Sequence, residues 1–249
     1  MGEALIKGLY AKHSVHVCET NAQRVKYLKG KYKGIVLGDL KVVEAASVIV
    51  LAVKPQDMEQ VLKQVSVGNN KLFISIAAGL TTKFFEKHLG GKVKVVRAMP
   101  NMPALIGEGM TAICKGRFAT TIDINEAAQI LESIGAVLEV QEKYMDVITA
   151  VSGSGPAYVF LFIEQWIAAA RVLGLSEKDA EFLVYKTLIG STHLWDKTGF
   201  TASDLRAKVT SKGGTTQAAM DVFLKDNIFG KLMKVGMAAA KKRAKELAK

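Results

Sequence analysis

Apolar and polar positions follow two different periodicities along this 249-residue chain. In the first part, short β-branched runs alternate with segments whose apolar residues recur every three or four positions. The clearest run, residues 47–52, is typical of a strand buried on both faces of a parallel sheet. Runs at 72–76 and 93–96 have a similar character. Strands that alternate with helices predict βαβ units, and therefore a Rossmann-like, doubly wound α/β sheet.

Shorter runs predict further strands at residues 14–18, 35–37, 110–114 and 136–140. Helical spacing predicts helices over residues 2–12, 40–46, 56–65 and 82–89. We therefore place a first, dinucleotide-binding domain over residues 1–145.

Helical periodicity alone continues through residues 146–249, so the second domain is predicted to be all-α. Its helices are apolar over much of their circumference, and such helices must be buried. A domain of roughly a hundred residues has limited interior for them. We therefore expect a two-fold homodimer to cover part of these faces, in preference to a compact monomeric bundle.

The residues directly after the predicted strands are candidates for a ligand site, because ligands of doubly wound sheets bind at the carboxyl ends of the strands. Residues 53–55 follow one buried strand, and the small residues 77–79 follow the next. Small residues allow a pyrophosphate or a flat ring to lie against the backbone. Each segment alone resembles an ordinary βα loop, but consecutive ones predict a crevice.

Glu19 ends the first strand of the chain. A carboxylate there binds the adenosine ribose hydroxyls and repels a 2′-phosphate, which favours NAD over NADP. Arg24 and Lys26 lie close in sequence and offer an alternative partner for a phosphate.

The chain opens directly with a predicted helix, whereas a dinucleotide fold usually opens with a strand followed by Gly-x-Gly-x-x-Gly. Gly2 fits the third glycine of that motif. We therefore expect about ten residues of the usual unit to be missing, either through a misassigned start or through a true truncation.

A turn at residues 210–216, in which two glycines are followed directly by two threonines, precedes an apolar-periodic segment. Glycines let backbone N–H groups approach a ligand, and the first turn of a helix has unpaired N–H donors. The helix dipole adds a preference for an anion. The turn therefore predicts a site for a carboxylate or phosphate, with a plain threonine-capped turn as the alternative.

The net charge of +11 comes from dispersed lysines and one dense block over residues 241–249. No aromatic residues alternate with that block, which favours a solvated helix end over a nucleic-acid surface. The two cysteines lie far apart, the four histidines lack metal-ligand spacing, and no signal sequence or uninterrupted apolar run of bilayer length is present. We therefore expect a cytoplasmic protein with no bound metal, no nucleic-acid partner and no membrane association.

Five segments resemble, in order and spacing, the motifs of the pyrroline-5-carboxylate reductase family. They are residues 51–56 (LAVKPQ), 75–79 (SIAAG), 96–103 (VRAMPNMP), 151–158 (VSGSGPAY) and 209–216 (VTSKGGTT). The resemblance spans nearly the whole chain. It implies a Rossmann domain followed by a helical dimerisation domain. It also implies reduction of the cyclic imine 1-pyrroline-5-carboxylate to L-proline with NADPH or NADH.

The resemblance further implies the residues that bind each ligand. The cofactor-binding positions implied are Met1, Gly2, Asp39, Ala52, Val53, Lys54, Pro55, Ile76, Ala77 and Ala78. The substrate-binding positions implied are Glu142, Lys208 (mainly through its backbone), Gly213, Gly214, Thr215 and Thr216. Thr216 would orient the imine and Glu142 would stabilise the cationic ring, so these two are the predicted catalytic residues.

Three positions depart from the family pattern. Lys212 replaces a proline of the turn, Thr201 and Ala202 replace a His-Pro pair, and Met102 replaces a threonine. Two alternatives remain open. A β-hydroxyacid dehydrogenase relative would carry a catalytic lysine on the first long helix after the glycine segment, but residues 158–171 contain none. A catalytically impaired homologue would act only as a dimeric binding module.

Overall fold

The computed structural model describes residues 1–41, 45–65 and 70–247. The chain forms two compact units, Met1–Pro156 with Ala239–Lys249, and Ala157–Ala238. All strands of the described residues lie in the first unit, and the second is helical. The predicted order, an α/β part followed by an all-α part, is confirmed. The compact units divide at residue 156, whereas the division at residue 145 remains a prediction about functional domains.

The described part of the first unit contains seven strands. They are β1 His16–Cys18, β2 Val36–Gly38, β3 Val48–Leu51, β4 Leu72–Ser75, β5 Lys94–Met99, β6 Gly109–Lys115 and β7 Gly135–Glu139. β1 and β2 form a parallel pair. The other strands form a second sheet in the order β3-β4-β5-β6-β7, parallel except between β5 and β6.

The direction of β6 follows from its connection to β5. A parallel neighbour needs a crossover of a dozen or more residues, usually a helix. The connection between β5 and β6 is a short segment built on the 3₁₀ turn Met102–Ile106, so β6 returns antiparallel to β5. The sheet is therefore mixed.

The helix α1 (Gly2–Leu9) packs on both sheets. Ala4 and Leu5 belong to a buried cluster with the side chains of β4 and β5. Ile6 packs instead with Leu28 and Tyr32 beneath the β1–β2 pair. In the ranges that the structure describes, β1 and β3 share no ladder, so α1 links the two sheets through its apolar side chains.

The remaining helices described in the first unit surround the larger sheet or flank the smaller one. They are α2 Ala22–Lys31, α3 Met58–Leu62, α4 Thr82–Leu89, α5 Thr121–Leu131 and α6 Met145–Ile148. The α4 prediction is confirmed to the residue, α3 is shorter than predicted, and α2 was not predicted. The helix predicted over 40–46 includes residues 42–44, which lie outside the described residues.

The helices that form or enter the second unit are α7 Gly155–Val172, α8 Glu177–Thr198, α9 Ala202–Lys208, α10 Thr215–Phe223 and α11 Ile228–Leu247. Pro156 lies in the first turn of α7, where its missing N–H costs nothing. Ser176 caps α8 by accepting a hydrogen bond from Asp179 N at 3.2 Å.

Large apolar side chains of these helices lie exposed in the single chain. Val172 is 88% exposed and Leu173 is 86% exposed, and no residue of α7, all of which is described, is buried. By length and composition alone, the helical stretch Glu142–Val172 is apolar enough to cross a membrane, and only 6% of its apolar window is buried. A second protein surface or a membrane is therefore needed to cover it.

Candidate active site

Helix α1 begins directly against the loop that follows β3. A Cβ atom added at Gly2 would lie 3.3 Å from Ala52 Cβ, which is tighter than an ordinary contact, so a glycine is the residue that fits here without a shift. Helix α1 is eight residues long and starts at Gly2 with no side-chain cap in the described structure. The structure therefore places Met1, Gly2 and Ala52 together, as predicted for a cofactor-binding crevice.

The loops after β3 and β4 lie next to each other because these strands are parallel neighbours. Leu51 pairs with Ser75, and Ile76 N donates to Leu51 O at 3.2 Å. Ala77 is small and only 4% exposed, so its side chain does not project above the strand ends. The predicted positions of these two loops therefore share one edge of the sheet: Ala52, Val53, Lys54, Pro55, Ile76, Ala77 and Ala78.

Glu19 and Asp39 also lie side by side, at the end of the smaller sheet. The register pairs Cys18 with Gly38, and each acid directly follows one of these two residues. Glu19 Oε1 accepts from Asn21 N, and Asp39 Oδ1 accepts from Lys41 N, both at 2.9 Å.

Glu142 joins the loop after β4 to the middle of the sheet. Its Oε1 accepts from Thr82 N at 2.8 Å, and its Oε2 accepts from Thr82 Oγ1 at 2.7 Å. Arg97 Nη1 lies 3.4 Å from Glu142 Oε1, and Arg97 Nη2 lies 3.7 Å from Asp146 Oδ1. Both oxygens of Glu142 are therefore engaged at the first turn of α4.

Arg97 is a buried cation that the sequence did not reveal. The sequence placed it in a loop after a strand at 93–96, but β5 continues to Met99 and Arg97 is 3% exposed. It pairs across the ladder with Cys114. Burial, and next the charge of Glu142, raise the pKa of the Cys114 thiol to about 12. The only signal in the sequence was the arginine's place in the 96–103 motif.

The turn before α10 has the geometry predicted for an anion site. Gly213 has φ +72°, in the left-handed region that favours glycine. Gly214 N donates to Ser211 O at 3.0 Å and closes the turn. Gly214 is the N-cap of α10 and has no side chain, and in the described structure no side chain caps this helix. The first amides of α10, at Thr215 and Thr216, are therefore available to an anion.

The ammonium group of Lys208 lies over an aromatic ring. Its Nζ lies 4.5 Å from the centroid of the Phe200 ring, a cation–π geometry. The role of Lys208, mainly through its backbone, stays a prediction.

The structure brings the predicted residues together in two groups. The cofactor positions and Glu142 lie in the first compact unit, whereas Lys208 and the turn at 213–216 lie in the second. The roles of the individual residues remain predictions.

Comparison with known proteins identifies both parts of the chain. Residues 142–247 match the family model described as pyrroline-5-carboxylate reductase dimerisation. Residues 1–79 match the model described as NADP oxidoreductase coenzyme F420-dependent. The dimerisation match covers the exposed apolar helices, so the second half of the chain is a dimerisation domain and the predicted homodimer is confirmed.

Relatives match over almost their whole length. A pyrroline-5-carboxylate reductase of Mycobacterium tuberculosis is 37% identical over 99% of this chain and 93% of its own. The structure of a pyrroline-5-carboxylate reductase from Coxiella burnetii is 34% identical with a TM-score of 0.91, covering 100% of this chain and 95% of that one. A pyrroline carboxylate reductase of Plasmodium falciparum, solved with NADP bound, is 30% identical with a TM-score of 0.88 over the same shares. The resemblance seen in the five sequence motifs is therefore confirmed, and the chain belongs to the pyrroline-5-carboxylate reductase family.

Proposed function

We propose that this protein reduces 1-pyrroline-5-carboxylate to L-proline with NADPH or NADH. The observation that carries the proposal is the match, at 37% identity over 99% of the chain, to a reductase of that name. The geometry supports it, because the motifs lie at a strand-end crevice and at an uncapped helix start. These are the two kinds of site that a dinucleotide and a carboxylate substrate need.

The first compact unit is suited to a dinucleotide. The close approach of Gly2 to Ala52 leaves bare backbone at the start of α1, where N–H groups and the helix dipole favour a pyrophosphate. Ala77 and Ala78 leave room for a flat ring above the ends of β3 and β4. When bound, the reduced nicotinamide supplies the hydride that the imine carbon accepts.

The start of α10 would hold the carboxylate of the substrate. The N–H groups of Thr215 and Thr216 would donate to its oxygens, and the dipole of this nine-residue helix favours its charge. The Thr216 hydroxyl then holds the ring nitrogen in place. An ordinary threonine is a poor acid, so the proton on that nitrogen comes from water, while Thr216 sets the orientation of the ring.

Glu142 lies in the first compact unit. Its carboxylate already accepts from Thr82 and lies beside Arg97, so it fixes the start of α4 and the loop that follows β4. Thr82 and Arg97 hold the Glu142 carboxylate in a fixed position. Its negative charge would stabilise the cationic ring of the substrate electrostatically, as predicted.

We also place the enzyme in the cytoplasm. The inference is supported by the position of its long apolar stretch, which lies within the matched dimerisation domain. No lipid is then needed to cover that stretch.

The assay is direct. Purified protein is incubated with 1-pyrroline-5-carboxylate and with NADH or NADPH, and both nicotinamide oxidation and L-proline are measured. One proline for each nicotinamide oxidised is the expected result. Consumption of neither cofactor would contradict the proposal. A change in nicotinamide fluorescence on binding, without turnover, would then identify the protein as a non-catalytic dimeric binding module.

A further inference from the structure

Two negative charges converge at the end of the β1–β2 sheet. Glu19 and Asp39 follow the paired residues Cys18 and Gly38 at the same edge. Burial raises the pKa of the Cys18 thiol, and the charges of Asp39 and Glu19 raise it further. Both carboxylates therefore act on the same small region of the sheet.

The backbone holds both carboxylates and still leaves them acceptor capacity. Each receives one backbone N–H at 2.9 Å, Glu19 from Asn21 and Asp39 from Lys41. An ionised carboxylate has about four acceptor positions. Glu19 and Asp39 can therefore accept hydrogen bonds from the hydroxyls of a ribose, and they offer no donor to a phosphate.

The arginine that follows β1 is turned toward a different acid. Arg24 Nη2 donates to Glu3 Oε2 at 2.9 Å. The other oxygen of Glu3 accepts from Tyr27 at 2.9 Å and from Lys31 at 3.0 Å. Glu3 is the centre of this network, which joins α1 to α2. The positive charge of Arg24 is therefore compensated within the protein.

We propose that the adenosine end of this site selects NADH over NADPH. Glu19 and Asp39 accept from the ribose hydroxyls of NADH and repel the 2′-phosphate of NADPH, while Glu3 keeps Arg24 from compensating that phosphate. The inference rests on the proposed function, because it takes these strand ends as part of the cofactor site. It extends that function by assigning the discrimination between NADH and NADPH to the carboxylates of Glu19, Asp39 and Glu3.

The first test compares the two cofactors. We expect kcat/KM for NADH to exceed that for NADPH by about tenfold or more at low ionic strength. Repulsion between the two carboxylates and the 2′-phosphate of NADPH is enough for a roughly tenfold difference. Salt at about 0.5 M should shrink the ratio, because exposed charges are screened. A ratio of one, or a preference for NADPH, would overturn the proposal.

The second test removes each charge with little change of shape. Glu19→Gln, Asp39→Asn and Glu3→Gln should each raise kcat/KM for NADPH by about three- to tenfold, with a smaller change for NADH. Glu59→Gln is the matched control, because Glu59 in α3 forms a surface pair with Lys63, directly after that helix, and belongs to neither cluster. Three substitutions that leave the NADH-to-NADPH ratio unchanged would contradict the proposal.

The third test separates this inference from the proposed function, because it needs no imine reduction. Calorimetry measures the binding of AMP and of adenosine 2′,5′-bisphosphate to the wild-type protein. Tighter binding of AMP supports the selection even if no proline is formed, in which case only the proposed activity fails. Equal binding, or tighter binding of the bisphosphate, overturns the selection and leaves the proposed activity standing. Binding of neither fragment nor of either dinucleotide overturns the cofactor site itself.

Discussion

Thr216 is the side chain whose loss tests the substrate site most directly. We expect Thr216→Ala to lower kcat/KM by about 100-fold, because one oriented hydrogen bond to the reacting group is lost. The free energy of unfolding should change by less than about 0.5 kcal/mol, because Thr216 lies at the start of a helix and is not buried. Steady-state kinetics and urea unfolding of the same preparation measure both.

Thr187→Ala is the control for this substitution. The Thr187 hydroxyl donates to Leu183 O within α8, so its loss removes a hydroxyl of the same kind from the helical unit. Its kcat/KM should equal that of the wild type. Wild-type catalytic efficiency in Thr216→Ala would remove Thr216 from the mechanism.

Glu3 makes the stability of the protein depend on pH. Burial would raise the pKa of Glu3, but hydrogen bonds from Lys31, Tyr27, Arg24 and Tyr32 outweigh it and lower the pKa from 4.5 to about 2. An acid with a lower pKa in the folded state stabilises the fold above its unfolded pKa and loses that contribution as the pH falls. The contribution of Glu3 is therefore complete above about pH 4.5 and is lost towards pH 2.

Glu3→Gln should accordingly lower the free energy of unfolding by about 1–2 kcal/mol at neutral pH, and the difference should shrink steadily as the pH falls from 4.5 through about 2. Urea unfolding of both proteins at several pH values gives the comparison. A difference that stays constant across this range would show that the charge of Glu3 contributes nothing.

At the residue scale, the sequence revealed exposed functional groups better than buried ones. The two glycines and two threonines at 213–216 are residue types typical of a turn followed by the start of a helix, so this site was visible in the sequence. Arg97 resembled a loop residue, because a charge after a β-branched run usually marks the end of a strand. Its burial depends on Glu142 and Asp146, which lie more than 40 positions away and could not be paired with it from one sequence.

At the scale of elements, the contact between α1 and the loop after β3 can be tested through Gly2. Any side chain at position 2 would meet Ala52. Even the Cβ atom of an alanine placed there would lie 3.3 Å from Ala52 Cβ. We expect Gly2→Val to raise the dissociation constant of NADH at least about tenfold, because its methyl groups occupy the surface proposed for the pyrophosphate. Titration of nicotinamide fluorescence measures it.

Gly30→Ala is the matched control, because nothing lies within 4 Å of a Cβ added at Gly30 in α2. It should leave NADH binding unchanged and stabilise the helix slightly. Unchanged NADH affinity in Gly2→Val would place the cofactor elsewhere.

Periodicity predicted most strands within one or two residues, because buried β-branched runs leave few alternatives. It did not predict that β6 runs antiparallel to β5, since periodicity carries no information on direction; the short connection decides it. It also missed α2, in which only Leu28 is buried and most other residues face solvent. A helix with so little apolar surface gives a weak signal.

At the scale of the whole molecule, the exposed faces of the helical unit should depend on the partner subunit. Phe160 in α7 is 56% exposed in the single chain and lies in the matched dimerisation segment. We expect Phe160→Asp to shift the protein toward monomer, because a buried unpaired carboxylate opposes association. Light scattering over a range of concentrations gives the mass.

Ile122→Asp is the control for that experiment. Ile122 is 78% exposed and lies outside residues 142–247, so its substitution should leave the dimer intact. A Phe160→Asp protein that remains dimeric at all concentrations would place the interface on other faces. The dimer itself was predictable from the excess of apolar surface, but the face that each helix presents to the partner was not.

Arg97 also constrains how this protein can change over evolutionary time. Its guanidinium lies beside Glu142 and Asp146, which belong to different turns of the chain. Loss of either acid leaves a buried cation with too few counter-charges, and loss of the arginine leaves both acids without their shared cation. Positions 97, 142 and 146 should therefore covary among relatives: where one of the three is replaced by an uncharged residue, the other two should be uncharged as well.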